Sequence, residues 1–240
     1  KEGYAEPDPT FDIEGLDAAH KIGILSALCY GTALPPEDFY VEGISKIDNS
    51  DFRYAMEMGY TIKHLAVSSI SNNKIELRAH PVLISLNSYL ANLKGVRNGI
   101  EIDTDLLGTL HIAGSGAGQE STASGIISDL VHLANANANT YDDNNSNKKY
   151  SMSSFNDLSF QYYFYIEAED IPGVMASITS IFAKKNIGIE SIVQKENLDK
   201  NLVPIVLISD AFIEKEHSDL LAQVLELESV NKIRSIRIEP

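Results

Sequence analysis

The stretch FQYYFYIEAEDIPGVMASITSIFAKKNIGIESIVQK (Phe160–Lys195) changes its hydrophobic period twice. Phe160, Tyr162, Phe164 and Ile166 alternate at period two, the pattern of a half-buried strand. From Val174 the spacing lengthens to Val174, Ile178, Ile181 and Phe182, which is helical, and Gly188 follows as a stop. IGIESIVQK then returns to a strand. Further on, LVPIVLIS reads as a third strand beyond the polar turn 196–201, KEHSDLLAQVLEL as a second helix and IRSIRIE as a last strand. The order βαββαβ predicts the ferredoxin-like split arrangement, an antiparallel sheet covered on one side by two helices.

Upstream of this unit the apolar pattern lapses. ANANANTYDDNNSNKKYSMSSFND offers Asn, Asp and Ser for about twenty residues and buries too little to offset its ordering entropy. Residues 137–157 are therefore expected to be a flexible linker between a domain at 1–136 and a second one at 158–240. In the first domain, Leu16–Cys29 reads as an amphipathic helix. NSDFRYAMEMG reads as a shorter one, capped by Asn49 or Ser50 and stopped by Gly59. TIKHLAVSSI, KIELRAHPVLI and GVRNGIEID alternate as strands of a mixed or mostly antiparallel sheet, with helices covering it. The fold class is α+β.

TLHIAGSGAGQESTASGIISDLVHLA gives strand, Gly-rich loop and helix, with Ser121 or Thr122 near the cap. A dinucleotide fingerprint needs a third glycine where Gln119 stands and a second parallel strand after the helix. The helix runs into the Asn-rich segment instead. The smaller expectation is that amides around Gly116 and Gly118 contribute to an anionic site completed elsewhere.

The opening residues carry more chemistry. Pro7 and Pro9 hold EPDP extended, so Glu6 and Asp8 project from a stiff segment. Asp17 and Lys21 follow at i and i+4 on one helix face. Carboxylates facing an Asp/Lys pair suit an amino-acid-like ligand, whose ammonium needs acids and whose carbonyl needs a cation.

Composition narrows the classes. The 240 residues carry a net charge of −15, which argues against nucleic acid as a partner. No apolar run reaches the length of a membrane span and no basic-then-apolar leader is visible, so a cytoplasmic protein without a membrane partner is expected. Cys29, the single cysteine, sits in ILSALCYG and is expected to be buried and inert. No paired His/Cys spacing predicts a metal. The chain opens on Lys1 rather than Met and enters a dense motif at once, which reads as a fragment.

GYAEPDPTFDIEGLDAAHKIGIL, GYTIKHLA, RAHPVLI, LANLKGVRNGI and GSGAGQESTASGIISDL occur in an order and wording that resemble homoserine dehydrogenase, over the whole first domain. DIPGVMASITSIFAKKNIGIESIVQK is similar to an ACT domain, an amino-acid-sensing module. The resemblance implies hydride transfer between NAD(P)H, as NADP or NAD, and L-aspartate 4-semialdehyde, giving L-homoserine on the route to threonine and methionine. Carried over by motif position, Glu6 holds the substrate's amino group with Tyr4 and Asp12 nearby. Lys21 faces the reacting oxygen, and Asp17 orients Lys21 or the substrate. Effector binding, with threonine the expected effector, falls to Asp170, Gly173, Asn186, Ile189 and Gln194. A homodimer or homotetramer is expected. The family's N-terminal nucleotide-binding domain, its further catalytic lysine and its monovalent-cation stretch have no counterpart here, so the chain alone is expected to be inactive. His20 and His64 are read as packing or solvent-facing residues. The rival reading is a non-enzymatic amino-acid sensor with a dimerisation platform.

Overall fold

The structure, a computed structural model, describes residues 8–32, 39–135, 150–195 and 201–239. In chain order these form α1 (Thr10–Ile13), α2 (Leu16–Tyr30), a short strand β1 (Tyr40–Val41), α3 (Asn49–Glu57) and the long hairpin β2 (Tyr60–Ser71) and β3 (Lys74–Ser85). A second hairpin, β4 (Arg97–Thr104) and β5 (Gly108–Ser115), leads to α4 (Gln119–Asn135) and, beyond it, β6 (Ser151–Met152). The C-terminal module follows: β7 (Ser159–Glu169), α5 (Val174–Lys184), β8 (Ile189–Gln194), β9 (Leu202–Ser209), β10 (Phe212–Ile213), α6 (His217–Leu225) and β11 (Val230–Ile238).

The C-terminal module has the predicted topology, with its strands in the antiparallel order β11-β7-β9-β8. One face buries Phe164, Ile166, Ile205 and Leu207 against Ile178 and Phe182 of α5 and Leu220 and Val224 of α6. The opposite face is not open. Tyr163, Tyr165, Val206, Ile208 and Ile236 pack against Tyr54 and Ala55 of α3 and Ile62 and Leu83 of the β2–β3 hairpin. β11 also pairs in parallel with β3, Arg237 opposite Val82 and Ile238 opposite Leu83. The sheet is therefore continuous across the expected domain boundary.

Several local expectations are corrected. The cap of α3 is Asp48, not Asn49 or Ser50: Asp48 and Asp51 form a reciprocal capping box, and Asp48 N donates to Asp51 Oδ2 (2.9 Å). α4 begins at Gln119, ahead of Ser121 and Thr122. Among the described residues, strands β4 and β5 pair only with each other, as a separate two-stranded sheet. In α2 the buried stripe is Ala19, Gly23 and Ser26, small residues that let the helix lie close on β2, where Ser68 Oγ donates to Ser26 Oγ (3.1 Å). That orientation leaves Ile24 and Leu28 outside and Cys29 exposed rather than buried. Within the expected linker, 137–149 lie outside the described residues, but 150–157 are placed. Ser151 and Met152 pair with Lys74 and Ile75, and Phe155 stacks on Tyr40 with ring centroids 3.7 Å apart. One aromatic side chain supplies the apolar contact that the polar residues around it lack.

Where β1, β3, β7 and β11 meet, charge is buried. Arg237 donates through Nε and Nη2 to both Glu214 oxygens (2.9 and 2.6 Å), through Nη1 to Glu42 Oε2 (2.9 Å) and through Nη2 to Tyr40 Oη (3.0 Å). Burial works against this guanidinium's charge, but its bonds to Glu214 outweigh that, and its pKa is raised. Burial would likewise raise Glu214, yet the same bonds hold it below the usual carboxylate value. Neighbouring His80, fully buried, is pushed down to about 3 by burial and by the field of Arg237 and is neutral. Arg78 Nη1 donates to its Nε2 (3.1 Å), which leaves Nδ1–H to donate to Pro81 O (3.1 Å).

Candidate active site

The opening arm, where described, is fixed by its own turn. Asp8 accepts hydrogen bonds from Thr10 N (3.1 Å) and Thr10 Oγ1 (2.6 Å), which lower its pKa and tie it to the first residue of α1. Pro9 O then accepts from Asp12 N and Ile13 N. The chain turns into α2 through Gly15, in the left-handed region at φ +80, where an added Cβ would lie 2.7 Å from His64 Nε2. His64 is thus a packing residue, and its Nε2–H donates to Glu42 O (2.9 Å). His20 meets Phe11 edge-on, with centroids 5.3 Å apart.

This turn aims the first two turns of α2 at a cavity of about 450 Å³. Asp8, Phe11, Asp12, Asp17 and Lys21 line one side, while Val96, Asn98, Gly116 and Ala117 line the other. Lys21 Nζ donates to Asp17 Oδ2 (2.6 Å), and both side chains remain substantially open to solvent. The Asn98 side chain lies where a Cβ on residue 116 would stand, with its Nδ2 2.1 Å from that position, and Gly116 N donates to Val96 O (2.8 Å). The neck of the β4–β5 hairpin is thereby closed into a smooth wall facing α2. Lys21 is the one cation lining the cavity among the described residues, set among carboxylates, and that arrangement suits a small zwitterion carrying a polar oxygen.

Asp12, Asp17, Lys21 and Gly116 are therefore brought together. Tyr4 and Glu6 lie outside the described residues. Gly118, at φ +124, precedes α4 and does not line the cavity. Val96 and Asn98 were not singled out in the sequence, because only the fold of a hairpin some eighty residues downstream places them opposite α2.

The five expected effector residues divide between the two ends of α5. Gly173, at φ +95, is the N-cap, and nearby Gln194 Nε2 donates to Asp170 Oδ1 (3.3 Å). Asn186, at φ +60, and Ile189 lie past the opposite end, about 16 Å away at the helical rise. They do not form one cluster within a single chain, because a helix of 11 residues separates them.

Comparison with known proteins bears on this geometry. A family model described as homoserine dehydrogenase matches residues 1–131, the part that builds the cavity. The chain belongs to the homoserine dehydrogenase family. Residues 164–232 match a second model, described as an AHAS small subunit-like ACT domain. The homoserine dehydrogenase of Pseudomonas aeruginosa is 38% identical over 99% of this chain and 57% of its own length. That of Neisseria gonorrhoeae is 38% identical over the same shares. The crystal structure of a homoserine dehydrogenase from Thiobacillus denitrificans superposes with a TM-score of 0.86 at 38% identity, covering 98% of this chain and 55% of that one. The chain thus spans little more than half the length of these homoserine dehydrogenases.

A nicotinamide dinucleotide does not fit a site built from the described residues alone. β5 is antiparallel to β4, no described strand after α4 joins their sheet in parallel, and Gly118 stands apart from the cavity. Among the described residues no group of three or more His, Cys, Asp or Glu side chains is placed to hold a metal ion, and no helix is long and apolar enough to cross a membrane.

Proposed function

We propose that the protein containing this chain interconverts L-aspartate 4-semialdehyde and L-homoserine with NADP or NAD, and that this chain supplies the substrate side of the site. The observation that carries the reading is the convergence of Asp12, Asp17 and Lys21 on one cavity, within the segment matched to the family. The Lys21 ammonium is the donor toward the substrate's carbonyl oxygen as that oxygen becomes a hydroxyl, and Asp17 fixes where the ammonium points. By motif position Glu6 is the residue for the substrate ammonium, with Tyr4 and Asp12 as further substrate-binding residues. The cofactor is held mainly by a part of the protein this chain does not span. The test is turnover of aspartate semialdehyde with NADPH or NADH by the complete protein. Its absence, alongside calorimetric binding of threonine confined to residues 158–240, would favour a sensor instead.

The reading includes a homodimer. α4 has no buried residue in the single chain and shows Ile126, Ile127, Leu130 and Val131 to solvent. A lone helix of this length is marginal in water, so the face is covered by a second copy. Leu130→Asp is expected to weaken dimerisation about 100-fold, since it buries an unpaired charge. Sedimentation of the variant as an unaltered dimer at micromolar concentration would count against this interface.

For the C-terminal module, the grouping of Asp170, Gly173 and Gln194 supports an amino-acid effector site at that end of α5, with threonine the effector. Asn186 and Ile189 would join it only across a pair of modules.

A further inference from the structure

The buried Arg237 and the candidate catalytic pair lie in different parts of the chain, and a short strap runs between them. Residues 40–44 leave β1 with Glu42 N donating to Ala79 O (2.8 Å) and with the Glu42 side chain accepting from Arg237 Nη1 (2.9 Å) and Tyr40 Oη (2.6 Å). The same strap carries the α1–α2 turn on its other side. Ile44 N donates to Ile13 O (2.9 Å), and Glu42 O accepts from His64, the side chain against which Gly15 is packed. Contact at Gly43 is backbone on backbone: an added Cβ would stand 2.5 Å from Ile13 O and 2.6 Å from Glu14 Cα. Gly15 caps α2, so the attitude of its first turns, with Asp17 and Lys21, follows the position of the strap.

We propose that Glu42 is a positioning residue for the substrate cavity: anchored by Arg237 of the C-terminal module, it holds the Tyr40–Ile44 strap at the height that sets Asp17 and Lys21 against the wall formed by Asn98 and Gly116. The proposal rests on the function proposed above. It also gives the C-terminal module a direct mechanical purchase on the site, because β11 and β1 flank the same edge of β3 and Arg237 bridges them. No partner of the Glu42 carboxylate lies in the cavity, so its effect reaches the substrate only through the backbone.

Two variants of the complete protein test this by different routes. Glu42→Gln removes the charge that Arg237 grips, and Gly43→Ala wedges the strap from the α1–α2 turn while leaving Arg237 alone. Each is expected to raise KM for L-homoserine at least about fivefold, with a smaller fall in kcat, because the cavity walls move apart by a fraction of an ångström. Glu42→Asp, which keeps the carboxylate, is expected to recover part of the loss. A merely structural role would reduce the amount of active enzyme and leave KM alone. KM within twofold of the parent in both folded variants would overturn the proposal. Should the parent show no homoserine turnover, the functional reading fails by itself, and amide exchange at residues 16–20 decides the positioning. At least about tenfold faster exchange in both variants supports it, and unchanged exchange overturns it.

Discussion

Replacing Lys21 by alanine in the complete protein is expected to lower kcat for homoserine oxidation about 1,000-fold, the upper range for loss of one preorganised donor at a developing oxyanion. Lys21 is the one cation lining the cavity among the described residues, so none of these substitutes for it there. Its side chain is 57% exposed and touches Asp17 on its own helix, so the fold does not depend on it. Stability is therefore expected to change by no more than about 0.5 kcal/mol, and the loss is chemical. Lys21→Arg keeps the charge but replaces a compact ammonium by a planar fork, and it is expected to restore little. Asp17→Asn should cost less than Lys21→Ala, since it removes the group that orients the donor and not the donor itself. Steady-state kinetics of the three variants checks the order. A Lys21→Ala enzyme within tenfold of the parent kcat would remove Lys21 from the chemistry.

The helical spacing of Asp17 and Lys21 placed both on one face in the sequence alone, since i to i+4 geometry is local. The wall opposite was out of reach. Nothing in VRNG announces that Asn98 will pack on Gly116, because the contact depends on the β4–β5 register across a hairpin, Asn98 opposite Gly114. The C-terminal module was legible for a similar reason: each of its elements carries its own period and stop. Its second covered face had a signal that period-two reading discounts. Tyr163 and Tyr165 interleave with Phe164 and Ile166, and VPIVLIS is apolar at successive positions, the mark of strands buried on both sides. Taken at face value, those residues demand a third layer, which α3 supplies. The linker misled because average polarity hid Phe155, a single ring that finds Tyr40 and the Arg237 guanidinium, 4.9 Å from its centroid.

Arg237→Ala is expected to destabilise the chain by about 3–5 kcal/mol, the cost of breaking a buried pair from one side. The arginine is 6% exposed and Glu214 8%, so Glu214 would be left with its charge out of water, bonded by the Tyr162 hydroxyl and with the His217 ring 3.9 Å away. Tyr40, Phe155 and Phe160 would also lose the cation held over their rings. The pair Lys185–Asp219 is the contrast: Asp219 is 60% exposed, so Lys185→Ala strands no charge out of water and is expected to cost much less. Urea unfolding of both variants measures the difference. If the penalty at Arg237 is that of a stranded carboxylate, Arg237→Met combined with Glu214→Leu should recover much of it, because two apolar side chains of similar length leave no buried charge unpaired. The double variant would then be folded yet without its anchor for Glu42. Stability and the setting of the α1–α2 turn are separable properties of one arginine: the first depends on its bonds to Glu214, the second on its bond to Glu42.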